Sequence, residues 1–332
     1  MEGNQIQQLF FNHIRSKMAS HFSFVDEIAE ILSISNDSAY RRIRGEKPIS
    51  LDEAQVLCSK YQVSLDQLLH IKTNTVIFSY DKVDDSSFVF TKYLQFIAHS
   101  LELFSRLQNP QMYFYSKDLP PYLFTPFPQL MAFKFFFWKR TLLGYADLSK
   151  QRFNGDEPDT ETIEIANRID ELYAKIPSTD IWNEESINVT ISQIEFYRQA
   201  NIFTDKDIVI KIYSQLEDLV NHLELQAETG KKSQYHKPDV RTNVLYDVYI
   251  NETLIGDNTV YIQSDNRQMT FINHSGLNFM QTQDQDFCDI TFKHLQNVIR
   301  KSTHISVVGE KERSMFFNNL RHKIQERKKT VN

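Results

Sequence analysis

The chain is short of glycine, with 8 in 332 residues, where average usage of about 7% would give about 23. The eight stand singly, at Gly3, Gly45, Gly144, Gly155, Gly230, Gly256, Gly276 and Gly309. A dinucleotide fingerprint needs three glycines in six residues, and a phosphate-cradling loop needs two ahead of Lys-Ser/Thr. Neither can be written with this spacing, which excludes Rossmann dehydrogenases, P-loop NTPases and kinases. Cysteine is scarcer still. Cys58 and Cys288 cannot form a metal-knuckle spacing, and two cysteines in so long a chain fit a reducing compartment better than a disulfide scaffold. Long apolar runs are also missing. The most apolar stretch, 130–138, contains Lys134 and falls well short of the roughly 20 residues of a membrane span. With no signal-peptide pattern at the N-terminus, a soluble cytoplasmic protein with no membrane partner is expected.

Enzyme chemistry has little to stand on. The ten histidines are scattered, with no pair at i, i+4 to hold zinc. No Gly-x-Ser-x-Gly elbow occurs, and Ser275 lacks flanking glycines. Carboxylate pairs such as Asp84/Asp85 and Glu184/Glu185 are adjacent in sequence, so on a helix they point apart. The expectation is a non-enzyme with no catalytic residue, no metal and no cofactor.

What is present is charge in an uneven distribution. The net charge is −6, and residues 1–72 carry eight Lys/Arg against nine Asp/Glu. Residues 73–310 carry 22 against 32, and residues 311–332 carry seven against two. The acidic middle would repel nucleic acid, so any such binding belongs at the ends.

The first seventy residues are dense in helix-start signals. Ser50-Leu51-Asp52-Glu53 and Ser64-Leu65-Asp66-Gln67 fit the capping box, and Ser23-Phe24-Val25-Asp26 is a weaker version. Helix-period apolar sets between them predict about five short helices. Within residues 25–45, a helix ending at Leu32 leads through Ser33-Ile34-Ser35 into a second helix from Asn36 to Arg44. Gly45 closes that helix as a left-handed residue. On a 100° wheel Ala39 and Ile43 face inward, while Asp37, Tyr40, Arg41 and Arg44 share the opposite face. Arginine there could make bidentate contacts to guanine O6/N7, and tyrosine could pack on a thymine methyl. Arg42 and Lys47 flank the stripe and would suit phosphates. Asp37 suits the positive end of the helix dipole better than it suits a contact to cytosine.

This segment resembles the XRE or lambda-repressor-like helix-turn-helix family. The likeness rests on Ile28-Ala29-Glu30, Leu32, Ile34-Ser35, Gly45-Glu46-Lys47-Pro48, Ser50-Leu51-Asp52-Glu53, Tyr61 and residues 63–69. It covers about residues 6–70. The resemblance implies a five-helix domain that reads double-stranded DNA through Asn36, Asp37, Tyr40 and Arg41. Ser33 departs from the glycine usual in the family turn, and Val25 from a polar base-reading residue.

The remaining 260 residues predict a mainly helical region. Helices are expected at 86–107, 130–143, 160–175, 184–201 and 205–228, with an extended piece at 113–115. The 205–228 helix carries Val209, Ile212, Leu216, Leu219 and Leu223 at 3-4 spacing, which fits internal packing or, alternatively, a dimer seam. Residues 243–250, 258–264 and 268–273 alternate and read as a small antiparallel meander, with closing helices at 286–301 and 310–327. The basic tail 327–329 suits a helix C-terminus or a DNA-contacting arm. Consecutive aromatics at 133 and 135–138 cannot share one helix face, so they imply core packing, an effector pocket or a dimer interface. Lys134 or Lys139 could orient an anionic effector there, or simply snorkel. Stretches 115–120, 133–138 and 309–313 resemble a group of bacterial regulators carrying the same N-terminal module.

The combined expectation is a helix-turn-helix domain (1–72), a helical sensing and dimerisation region (73–230) and an α+β C-terminal region (231–332). Together they would form a homodimeric transcriptional regulator with a small-molecule or peptide effector. The alternatives are a peptide-sensing regulator built on a helical-repeat receptor, and a protein-interaction module that binds no DNA.

Overall fold

The computed structural model describes residues 3–18, 23–69, 75–80, 89–237, 242–253, 256–274 and 276–331. The chain divides into two compact units, Met1–Ile77 and Phe78–Asn332. The class is α+β and mainly helical, with a mixed sheet confined to the second unit.

Among its described residues the first unit holds five helices: α1 (Gly3–Ser16), α2 (Phe24–Leu32), α3 (Asn36–Ile43), α4 (Leu51–Tyr61) and α5 (Leu65–Leu69). Their shared core is Phe10, Phe11, Ile14, Ile28, Ala39 and Leu57, all buried. The α4 capping box closes in both directions, with Ser50 Oγ accepting from the Glu53 amide and Glu53 accepting from the Ser50 amide. At α2 the Ser23 side chain makes no cap bond, and only its carbonyl accepts, from the Glu27 amide. Ser33 stops α2 in the left-handed region, at φ 53°. Its amide and that of Ile34 return to the carbonyls of Glu30 and Ala29.

The second unit is built on an eight-stranded sheet in the order β1-β7-β6-β5-β2-β3-β4-β8. In chain order its elements are β1 (Ser79–Tyr80), α6 (Phe90–Ser105), β2 (Gln111–Tyr115), α7 (Pro121–Phe124) and α8 (Pro128–Phe137). Then come α9 (Thr160–Tyr173), β3 (Ser178–Trp182), α10 (Asn188–Gln199) and α11 (Lys206–Thr229). The last are β4 (Tyr246–Ile250), β5 (Thr259–Gln263), β6 (Gln268–Asn273), β7 (Phe279–Thr282), α12 (Gln285–Arg300), β8 (Thr303–His304) and α13 (Glu310–Lys329). Strands β2, β3 and β4 run parallel, and the other pairings are antiparallel.

Alternate strand residues serve opposite faces. Met112, Phe114, Trp182, Val248 and Ile262 join the large core shared with α6–α11 and α13. Tyr115, Ile181 and Tyr261 point the other way, onto Cys288, Leu295 and Val298 of α12.

Several expectations change here. The three-stranded meander is not one: β5 and β6 form a hairpin, but β4 pairs parallel with β3 and antiparallel with β8. Strand β3, buried along its whole length, had no sequence prediction. The line drawn at 230/231 falls inside the second unit, where β2 and β3 from one side pair with β5 and β4 from the other. The sheet also removes the helical-repeat receptor. Val209, Ile212, Leu216, Leu219 and Leu223 are buried inside the unit, where α11 packs on α8 and α13, so they are not a dimer seam. The expected start at Ser86, the 72/73 boundary, the Asp84/Asp85 pair and Ser275 lie outside the described residues. Among the described residues no helix is long and apolar enough to cross a membrane.

Candidate nucleic-acid interface

Helix α3 is short, polar and capped. The Ser35 side chain accepts from the Ser38 amide, and Asp37 lies in the first turn, where a carboxylate suits the dipole. Its inner face carries Ala39, fully buried, with Ile43 half-buried against the same core. After Arg44 the chain turns through Gly45, at φ 77°, and the amides of Gly45 and Glu46 close onto the carbonyls of Arg42 and Arg41. A left-handed residue here favours glycine because it has no Cβ to clash.

The outer face presents Asp37, Tyr40, Arg41 and Arg44, all exposed, with Tyr40 at 47%. Arg44 lies over the Tyr40 ring at 5.5 Å and donates to its hydroxyl at 3.0 Å. A salt bridge to Glu46 spans 3.3 Å. Tyr40, chiefly through that hydrogen bond, and then the Glu46 carboxylate raise the guanidinium pKa above its ordinary value. Arg41 makes no ion pair with any described residue. Asn36 is exposed but donates to Asp26 of α2 at 2.7 Å, which ties the two helices together.

Arg42, expected to flank the stripe, is instead turned into the fold. It is buried, and its guanidinium forks onto both Glu53 carboxylate oxygens at 2.7 and 3.0 Å while also reaching Ser38. The Arg42 hydrogen bond is the main cause holding Glu53 below the ordinary carboxylate range. One wheel step separates Arg41 from Arg42, and 100° suffices to move the second charge from solvent into a buried pair. Lys47 is exposed at the start of the following loop.

Gln7 of α1 had no sequence prediction. Its amide donates to the carbonyls of Arg42 and Lys47 and accepts from the Ile49 amide, clamping the loop after α3 at both ends. Gln8 adds a bond to the Arg44 carbonyl. No sequence periodicity flags such a side chain, because it answers to backbone groups 35 to 42 positions away.

Of the other sequence-derived candidates, the aromatic segment and Lys134 turn inward. Phe133, Phe135, Phe137 and Trp138 are buried in the main core, and Phe136 packs at its edge against Phe153 and Tyr197. Lys134 is fully buried and bonded to Asp118, Thr190 and Gln193 at 3.0–3.3 Å. It neither snorkels nor waits for an anion, and burial pulls its pKa down. In 309–313, Gly309 is the left-handed N-cap of α13 at φ 68°, and Arg313 in the first turn of that helix donates to the carbonyls of Ile305 and Val308. In the basic tail Lys328 pairs with Glu217 and Lys329 with Glu326. Comparison with known families, with curated proteins and with solved structures finds no match for the chain.

Proposed function

We propose that the chain is a sequence-specific, DNA-binding transcriptional regulator in which α2 and α3 act as a helix-turn-helix of the lambda-repressor-like kind. The observation that carries this reading is the division of labour on α3. Tyr40, Arg41 and Arg44 stay exposed on one face, while the neighbouring Arg42 is used up by the fold. Arg41 and Arg44 are the base-reading arginines, with Arg44 held in place by the Tyr40 ring. Asn36 and Asp37 sit at the helix start that enters the groove, and Lys47 meets a phosphate. Arg42 drops out of the contact set.

The first seventy-two residues are near neutral, so one copy binds duplex weakly and two copies on a two-fold site raise affinity through effective concentration. In this reading the protein acts as a homodimer, and the second unit carries sensing and dimerisation.

The test starts by selecting a duplex from a random pool with the full chain, then measuring its affinity by fluorescence anisotropy. Arg41→Ala should weaken binding by about 5- to 150-fold, in line with about 1–3 kcal/mol for one bidentate base contact. Its thermal unfolding should match the parent. Unchanged affinity for the selected duplex overturns the assignment. If no duplex shows salt-dependent association, the α3 face is a protein-contact surface instead.

A further inference from the structure

We infer that the second unit binds a small, uncharged apolar molecule in a cavity between α6 and the strand face of β2, β5 and β6. The cavity measures about 110 Å³. Its position follows from how α6 is braced. Near its start Phe90 stacks against Trp138, with ring centroids 6.1 Å apart, and packs on Phe135 at 4.5 Å. Near its end Phe104 meets Phe271 of β6 edge-on at 5.7 Å. Between these aromatic braces the helix presents Ile97, Ser100 and Leu101, facing Met112 and Ile262. Tyr93 and Phe96 of the same helix and Tyr122 of α7 also line the unfilled space.

Three features set the ligand class. Among the described residues the lining holds no charged side chain, so an ion entering it would lose hydration without a partner from them, at high cost. Its polar groups are few: Ser100, Asn278 and two tyrosines among hydrocarbon walls. A buried water asks for two to four polar partners, whereas an engineered apolar cavity of about 150 Å³ stays dry and takes benzene. The volume therefore suits one neutral ring or a short branched aliphatic group. A larger ligand would extend past the exposed Phe96 in the lining. The cavity is not at the aromatic 133–138 segment, for which an effector pocket was one alternative to core packing. The inference stands whether or not the N-terminal unit reads DNA.

Fluorobenzene titrated into the full chain and followed by ¹⁹F NMR tests it. Saturable binding that benzene displaces is the expected result, with benzoate at least tenfold weaker. Ile97→Trp fills the space and should weaken fluorobenzene binding at least tenfold. Ser100→Asp, at a half-buried position where a folded chain is easier to keep, should do the same by placing a charge in the wall. No saturable binding, binding unchanged in Ser100→Asp, or benzoate as tight as fluorobenzene would each overturn the proposal.

Discussion

The two units treat charge in opposite ways. On α3 of the small unit, the cations Arg41 and Arg44 face outward, and the one that turns inward, Arg42, meets a carboxylate at direct contact. The large unit buries whole groups. Lys232 lies inside it with its ammonium 3.2 Å from the Tyr173 ring centroid, donating to the Tyr173 carbonyl at 3.3 Å. Asp180, fully buried at the middle of β3, accepts from Ser178 and from the Tyr246 hydroxyl at 3.1 and 3.0 Å. Burial pushes Lys232 down, against the pull of Asp180 and Asp170, and pushes Asp180 up. The difference is one of size. Five short helices enclose too little volume to shield an ion, whereas a sheet covered on both faces leaves its central strand in a low-dielectric interior, where an ion needs several partners.

The largest effect should come from breaking the interior cluster. Lys232→Met leaves Asp180 without its compensating charge and should lower stability by about 3–5 kcal/mol, read from urea unfolding. Adding Asp180→Asn should return most of the loss, because the uncompensated charge is gone. A double variant as unstable as the single one would show that Lys232 matters by packing alone.

The small unit offers a milder version. Arg42→Ala should cost about 2–3 kcal/mol by leaving Glu53 unpaired, while Arg41→Ala should stay within about 0.5 kcal/mol of the parent. Equal losses at the two positions would erase the distinction between the faces of α3.

A finer test uses two groups that line one small pocket of the large unit, His222 and Asp170. Burial lowers His222 to about 4 and raises Asp170 to about 6. The signs oppose. Between pH 6.5 and 4 the unfolded histidine takes a proton that the folded one refuses, so its contribution to stability falls as pH falls. Between pH 6 and 3.8 the folded aspartic acid holds a proton that the unfolded one has released, so its contribution rises as pH falls. Each tends toward about 1.4 kcal/mol per pH unit. Stability measured at pH 6, 5 and 4 should therefore climb on acidification in His222→Asn relative to Asp170→Asn, where it should drop. Parallel profiles in the two variants would show that neither group titrates as its surroundings require.

Legibility in the sequence followed the range of the forces involved. The helices of the large unit were readable because a 3.6-residue apolar period and a cap are local. The expected 160–175 and 205–228 match α9 and α11 to within a residue or two. Strand β3 was not readable. Ser178-Thr179-Asp180-Ile181-Trp182 lacks alternation because both its faces are buried, and an aspartate in mid-strand argues against a strand. Only the partners waiting in β4 and on α11's side of the sheet make that residue tolerable. On α3 the exposed stripe could be read from the wheel, since exposure needs no partner. The fate of Arg42 could not, although its place three residues after Ala39 put it at the edge of the inner face. Its partner Glu53 was visible as a capping residue, not as an ion-pair acceptor.

The sequence by itself determined where helices start and stop, which α3 residues face outward and which nucleotide folds the scarce glycines exclude. All of these depend on a few neighbouring residues. Tertiary structure decided the pairing of β4 with β3, the burial of Lys134 and Lys232, the withdrawal of Arg42 and the cavity under α6. Each depends on groups brought together from distant parts of the chain. A charge or a gap acquires its meaning only from what is packed against it.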